Sequence, residues 1–181
     1  CGVLTIPVFI YILCLIPQAT IRFLAWLVTH TAYQVRVVQR FHLPETGPAV
    51  LVANHISGMD GLLLVAVSPR PIRLIVSTSL LGSWWAQGLG RIMGAIPVGR
   101  APKEALVAIQ AARQALAGGE LVCIFPEGGI SRSGQLQAFK AGTLEIVRQS
   151  ATPVVPVYLD ELWGSIFTFH GGRLFWKRPR F

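Results

Sequence analysis

Residues 101–128 read APKEALVAIQAARQALAGGELVCIFPEG, a complete passage from helix to strand. Pro102 stands where a first-turn proline belongs, because the N–H it lacks is one that a helix start leaves unbonded anyway. Helix formers continue to Ala117, and Gly118-Gly119 ends the run. Leu121–Phe125 (LVCIF) is apolar throughout, as in a strand buried on both faces. Pro126-Glu127-Gly128 then turns the chain.

Working outward, the same alternation recurs. Ala49–Ala53 (AVLVA) is a second buried-strand run, and Gly61–Val67 reads as a helix stopped by Ser68-Pro69. Arg73–Ser77 reads as a strand, Leu80–Leu89 as a helix and Ala95–Val98 as a short strand. Tyr33–Arg40 (YQVRVVQR) alternates well enough for a strand with one wet face, before a turn at residues 44–48. Downstream, Ala138–Gln149 is helical, and Val154–Leu159 (VVPVYL) is a strand in which Pro156 marks a bulge or an edge. The pattern predicts an α/β domain over residues 31–181: a layered structure with a largely parallel central sheet flanked by helices.

Residues 1–30 differ in character. Residues 3–16 (VLTIPVFIYILCLI) carry no charge, then Pro17, Gln18 and Arg22 interrupt an apolar run that reaches Val28. A membrane span needs about 20 apolar residues, and a mid-helix proline kinks or breaks a helix. The segment therefore reads as membrane-associated, either spanning or dipping into one leaflet as a helical hairpin. A signal peptide and a buried core helix are the competing readings. The whole chain of 181 residues is 52% hydrophobic and only 13% charged, where a soluble domain carries about 25% charged residues. Its formal charge of +8 favours an anionic partner such as membrane headgroups. Nucleic acid is not expected, since no basic stripe interleaved with aromatics and no zinc-finger spacing is present. Cys1, Cys14 and Cys123 form no CxxC pair, and the four histidines are too scattered for a metal site.

In α/β sheets, ligands gather beyond the carboxyl ends of the strands. Asn54-His55 follows AVLVA, Gly99-Arg100 follows AIPV, and Pro126-Glu127-Gly128 follows LVCIF. A histidine, an arginine and a glutamate thus leave three strand ends and are expected to converge on one edge. Asp60 lies five residues after His55 across a turn containing Gly58, which lets the carboxylate fold back on the imidazole. Such a pair fixes the tautomer and leaves the other ring nitrogen basic toward a substrate hydroxyl. The same residues also read as a capped helix start with a satisfied loop histidine. Arg100 suits a phosphate or a solvated surface, and the glycine-rich 125–134 loop suits an anion or an ordinary turn.

Taken in order, four blocks resemble the glycerolipid acyltransferases of the lysophosphatidic acid acyltransferase type: NHISGMD (54–60), GAIPVGR (94–100), FPEG (125–128) and VVPVYL (154–159). The resemblance covers roughly residues 35–160. It implies His55 as general base and Asp60 as its orienting partner. Arg100, Glu127 and Gly128 resemble the residues that hold the acceptor's glycerol phosphate, with Asn54 beside them, and Pro156 resembles a position on the donor side. It further implies a lysophospholipid acceptor and acyl-CoA or acyl carrier protein as co-substrate. No cofactor and no metal are implied, and the place of action is the cytoplasmic face of a bacterial inner membrane. Many relatives read Thr-Arg-Ser directly after FPEG; here Gly129-Ile130 intervene and Arg132 comes later, as the candidate for the displaced phosphate arginine. The altered loop is similar to that of bifunctional 2-acylglycerophosphoethanolamine acyltransferase / acyl-carrier-protein synthetases, so fusion to further domains is a second expectation.

Aromatic and basic residues alternate through Trp163–Phe181, which suits a membrane interface or a hairpin packed on the sheet. A serine esterase is disfavoured because no G-x-S-x-G elbow exists. A non-catalytic lipid-binding or membrane-anchoring module would hold His55 and Asp60 apart or leave them dispensable.

Overall fold

The computed structural model describes residues 17–38, 43–148, 152–165, 167–170 and 173–175. Among the described residues helix α1 (Pro17–Ala32) comes first, and the proline that interrupts the apolar run is its first residue. Residues 1–16, and with them the upstream half of that run, lie outside the described residues. No helix among the described residues is long and apolar enough to cross a membrane. The boundary expected at residue 30 falls inside α1, which continues to Ala32.

There follow β1 (Ala49–Ala53), α2 (Asp60–Val67), β2 (Ile72–Ser77), α3 (Trp84–Ile92), β3 (Ile96–Val98), α4 (Pro102–Ala117), β4 (Leu121–Ile124), α5 (Ala141–Arg148) and β5 (Val154–Val157). The five strands form one all-parallel sheet in the order β3-β2-β4-β1-β5. A short antiparallel hairpin, β6 (Thr168–His170) and β7 (Arg173–Phe175), stands apart from it. The expected architecture is therefore the observed one.

Strand alternation sorts the core into two layers. Val50, Val122 and Ile124 point to the face covered by α4 and α5, where they meet Ala108, Ala112, Leu116 and Ile146. The three alanines Ala108, Ala112 and Ala115 are buried, and their small side chains let α4 lie close to the sheet. Leu51, Leu121 and Cys123 point the other way, toward Leu64 of α2. At the start of α4, the Glu104 carboxylate accepts from the Ala101 N–H at 3.2 Å. Gly119, at φ +80°, closes the other end. The central positions of β4 are fully buried; exchanging Leu121 for alanine would leave a cavity, at about 2–5 kcal/mol.

Burial pushes the Cys123 thiol up to about 12, and the nearby Asp60 carboxylate adds to the shift. A group held neutral in the fold has the following pH signature. Below the ordinary value of 9.0 there is no penalty, and stability falls as pH rises from there toward 12. Iodoacetamide at pH 8 should leave Cys123 unmodified while the chain is folded and label it once urea is added, as read by peptide mass mapping. Labelling without urea would show that the sheet opens.

One expected strand, Tyr33–Arg40, does not appear among the described residues, and its last two residues lie outside them. Gln34–Val38 is irregular, because alternation creates a half-wet face but no strand among the described residues offers it a ladder. Tyr33 instead donates its N–H back to Thr29 O at 2.7 Å and is buried against Ile56, Leu63 and Leu162. The helix expected at Leu80–Leu89 is displaced: residues 78–81 are turn, and α3 starts at Trp84. Pro156 lies on an edge strand, one of the two positions its missing N–H allows.

Candidate functional site

β1 ends at Ala53, and the next side chain prolongs its pairing with β5. Asn54 Nδ2 donates to Leu159 O at 2.9 Å, and Leu159 N–H donates to Asn54 Oδ1 at 2.7 Å. The main chain is thereby free to leave the sheet and turn through residues 55–59 into α2. Asp60, the first residue of α2, is fully buried. Its Oδ2 accepts from Ile56 N–H at 2.7 Å, Ser57 N–H at 2.9 Å and His55 Nδ1 at 2.8 Å. An oxygen receiving two backbone donors acts as an acceptor, so Nδ1 is the donor in this bond and Nε2 is the ring nitrogen that Asp60 leaves unengaged. Asp60 Oδ1 is also buried and takes no hydrogen bond among the described residues. The His55 side chain keeps 17% of its surface exposed, so the carboxylate is hidden and the imidazole is not.

His55 is held from three further directions. Its ring stacks on Phe125, centroids 4.3 Å apart at 22°. Its N–H donates to Glu127 Oε1 at 2.7 Å, and its carbonyl accepts from Ser131 N–H at 2.7 Å. The second Glu127 oxygen accepts from Gln137 N–H at 3.0 Å. Glu127 is thus buried with both oxygens on main-chain donors, and it ties the His55 turn to the loop after β4. Against the turn lies the start of β6: Gly58 N–H donates to Phe167 O at 3.1 Å, and Ser57 bridges to Thr168.

The glycine-rich loop folds back on itself. Ser131 Oγ donates to Gln135 O at 2.7 Å, and Lys140 N–H donates to Pro126 O at 2.8 Å. Gly128, at φ +67°, has Lys140 lying over it. A Cβ there would sit 2.6 Å from Lys140 Cδ and 2.7 Å from its Nζ. Arg132 is exposed, its guanidinium carbon 5.5 Å from the centre of the Phe169 ring.

The expected convergence is therefore divided. Strands β1 and β4 are neighbours, so His55, Asp60, Glu127, Gly128 and Asn54 form one cluster. Arg100 follows β3 at the far edge, with β2 and β4 between it and β1. Three strand spacings put it about 14 Å away along the same end of the sheet. It is exposed, and it follows Gly99, where a Cβ would fall 1.7 Å from Glu104 Oε2. Lys140 and Phe125 were not singled out from the sequence as site residues. Phe125 stood inside the FPEG block, whereas nothing in the local pattern pointed to Lys140.

Among the described residues, no group of three or more His, Cys, Asp or Glu side chains could hold a metal ion. A groove of about 2130 Å³ runs along the sheet face opposite α4, past Leu51, Leu64, Val155 and Tyr158. It reaches Asn54 of the cluster and Pro126, the residue before Glu127, although His55 itself is not in its wall.

Three kinds of similarity bear on this site. The family model described as Acyltransferase matches residues 34–160. A 1-acyl-sn-glycerol-3-phosphate acyltransferase of Borreliella burgdorferi is 27% identical over 143 residues, covering 78% of this chain and 56% of its own. The alpha form of that enzyme in Mus musculus is 30% identical over 135 residues, covering 71% and 46% respectively. The chain spans about half the length of these relatives. The crystal structure of PlsC from Thermotoga maritima, a 1-acyl-sn-glycerophosphate acyltransferase, superposes with a TM-score of 0.67 at 24% identity. It covers 77% of this chain and 56% of that one, and shares the fold.

Proposed function

Because this chain belongs to the Acyltransferase family, whose model spans residues 34–160, we propose that it moves a fatty acyl group from an acyl thioester to the free hydroxyl of a lysophospholipid. The observation that carries the chemistry is the His55–Asp60 pair at 2.8 Å, with a buried carboxylate and a partly exposed ring. In this reading His55 Nε2 takes the proton of the acceptor hydroxyl as its oxygen bonds to the thioester carbonyl. The C–S bond then breaks, and the thiolate leaves with the proton from the imidazolium. The substrate brings its own hydroxyl, so no acyl-enzyme forms. Phe125 and Glu127 hold the ring and its main chain in place, which keeps the attacking geometry short and repeatable.

Arg100, Arg132 and Gly128 are the proposed acceptor-phosphate residues, with Lys140 added because its ammonium lies over the Gly128 turn. Glu127 and Asn54 bear on the acceptor through the loops they fasten. The apolar groove adjoining Asn54 and Pro126 is the proposed place for the acyl chain. Residues 1–30 are the proposed membrane-associated segment, 31–181 the acyltransferase domain, and the cytoplasmic face of the bacterial inner membrane the proposed location. The named relatives favour 1-acyl-glycerol-3-phosphate as the acceptor, and acyl-CoA and acyl carrier protein both supply the required thioester.

The test is acyl transfer by the purified chain from labelled acyl-CoA or acyl carrier protein, with lysophosphatidic acid and lysophosphatidylethanolamine in parallel. Preference for the phosphate monoester supports this reading, preference for the ethanolamine acceptor reassigns the headgroup and favours the fusion-domain type, and no transfer by folded protein overturns it. Arg100→Ala should raise the acceptor KM about tenfold or more with kcat little changed, the loss of one charge-assisted contact. An effect confined to the donor would move the phosphate site elsewhere.

A further inference from the structure

Helix α3 has nine residues, of which only Ala86 is buried. Trp84 is 86% exposed and Trp85 61%, with Leu80 just before them at 69% and Leu89 one turn on. Two adjacent tryptophans facing water are a poor arrangement for a soluble surface, but tryptophan suits the boundary between lipid and water. The helix is not isolated. Gln18 Nε2, in the first turn of α1, donates to Ile92 O at the end of α3 at 3.1 Å. Helix α1 likewise exposes Phe23 and Trp26, stacked at 6.2 Å.

Along the chain, the stretches that carry these helices hold charges of one sign, and of their basic residues Arg73 is paired with Glu120 from outside them. None of the eight acidic residues lies in 1–44 or 61–103, while eight of the sixteen lysines and arginines do. A second copy of the chain would bring like charges together across such a face, whereas anionic lipid complements it. We infer that α3, with Trp84 and Trp85 at its tip, is a second membrane-contacting element. It docks beside α1 on an anionic lipid surface and is separate from the His55 chemistry. This rests on the proposal that residues 1–30 associate with membrane and adds a specific second contact to it.

A reporter at position 84 separates the two ideas. In a Cys1→Ser, Cys14→Ser, Trp84→Cys chain, the buried Cys123 stays unreactive and an environment-sensitive fluorophore labels position 84 alone. The chain is floated with phosphatidylcholine vesicles and with vesicles that also contain phosphatidylglycerol. The expected result is flotation favouring the anionic vesicles, with the fluorophore shifted to the blue and quenched by lipid-borne quenchers. In a separate chain, Trp84→Ala with Trp85→Ala should weaken vesicle binding about tenfold or more without changing transfer to a detergent-dispersed acceptor. Flotation with a fluorophore that still reports water would overturn the α3 contact and leave the segment proposal standing. Absence of flotation would remove both. A blue-shifted signal without vesicles would show that protein covers the patch, and would overturn the inference as well.

Discussion

His55→Ala should lower acyl transfer by about 100- to 10,000-fold, the usual worth of a positioned base, without unfolding the protein. The ring is partly exposed, and it contributes one stacking contact and one hydrogen bond to a turn that the main chain also holds. Its backbone bonds to Glu127 and Ser131 do not involve the side chain and survive the exchange. The loss should therefore fall on kcat, with an unchanged far-ultraviolet spectrum and a melting temperature within a few degrees of wild type. Near-normal transfer in this variant would mean that the acceptor hydroxyl loses its proton to something else, and the proposed mechanism would fail.

Asp60→Ala should combine a catalytic loss with a structural one. Removing the carboxylate strands the buried N–H groups of Ile56 and Ser57 and frees the imidazole to change tautomer. Unmet buried donors cost about 1–3 kcal/mol each. The pair would lower stability by about 2–6 kcal/mol, which for a chain of this size corresponds to a fall of about 10 °C in the melting temperature. Asp60→Asn separates the two effects. Its carbonyl can still accept from the backbone donors while the charge facing the imidazole is gone, so this variant should melt closer to wild type and still lose turnover. An Asn variant that is fully active would reduce Asp60 to a structural cap of α2.

The parts of the fold that were legible in the sequence are those set by neighbours in the chain. Pro102 and Gly118-Gly119 punctuate α4 locally, and the helix runs over the expected Pro102–Ala117. The His55–Asp60 pair was legible for the same reason: five residues and one glycine-containing turn bring the groups together. The described part of Tyr33–Arg40, up to Val38, is irregular because alternation describes a half-wet face and says nothing of whether a partner strand exists. Strand order was equally silent. AVLVA and LVCIF are some seventy residues apart in the chain yet adjacent in the sheet, which puts Glu127 on His55. AIPV looked equivalent, but β2 and β4 intervene and leave Arg100 at the far edge. Lys140 over Gly128, and the start of β6 against Gly58, depend on loop closures that no local pattern encodes.

Asn54 shows how closely a side chain can stand in for a peptide group. Its amide gives and receives one hydrogen bond each with Leu159, as a backbone unit of a sixth β1 residue would. The sheet is lengthened by one rung after its main chain has already turned away. Few residues can play this part. Aspartate has no donor for the Leu159 carbonyl, leucine has neither donor nor acceptor, and glutamine carries the amide one methylene too far. The position is therefore a point of chemical grammar: the sentence of the strand is finished by a side chain, so that the backbone can begin the turn that presents His55.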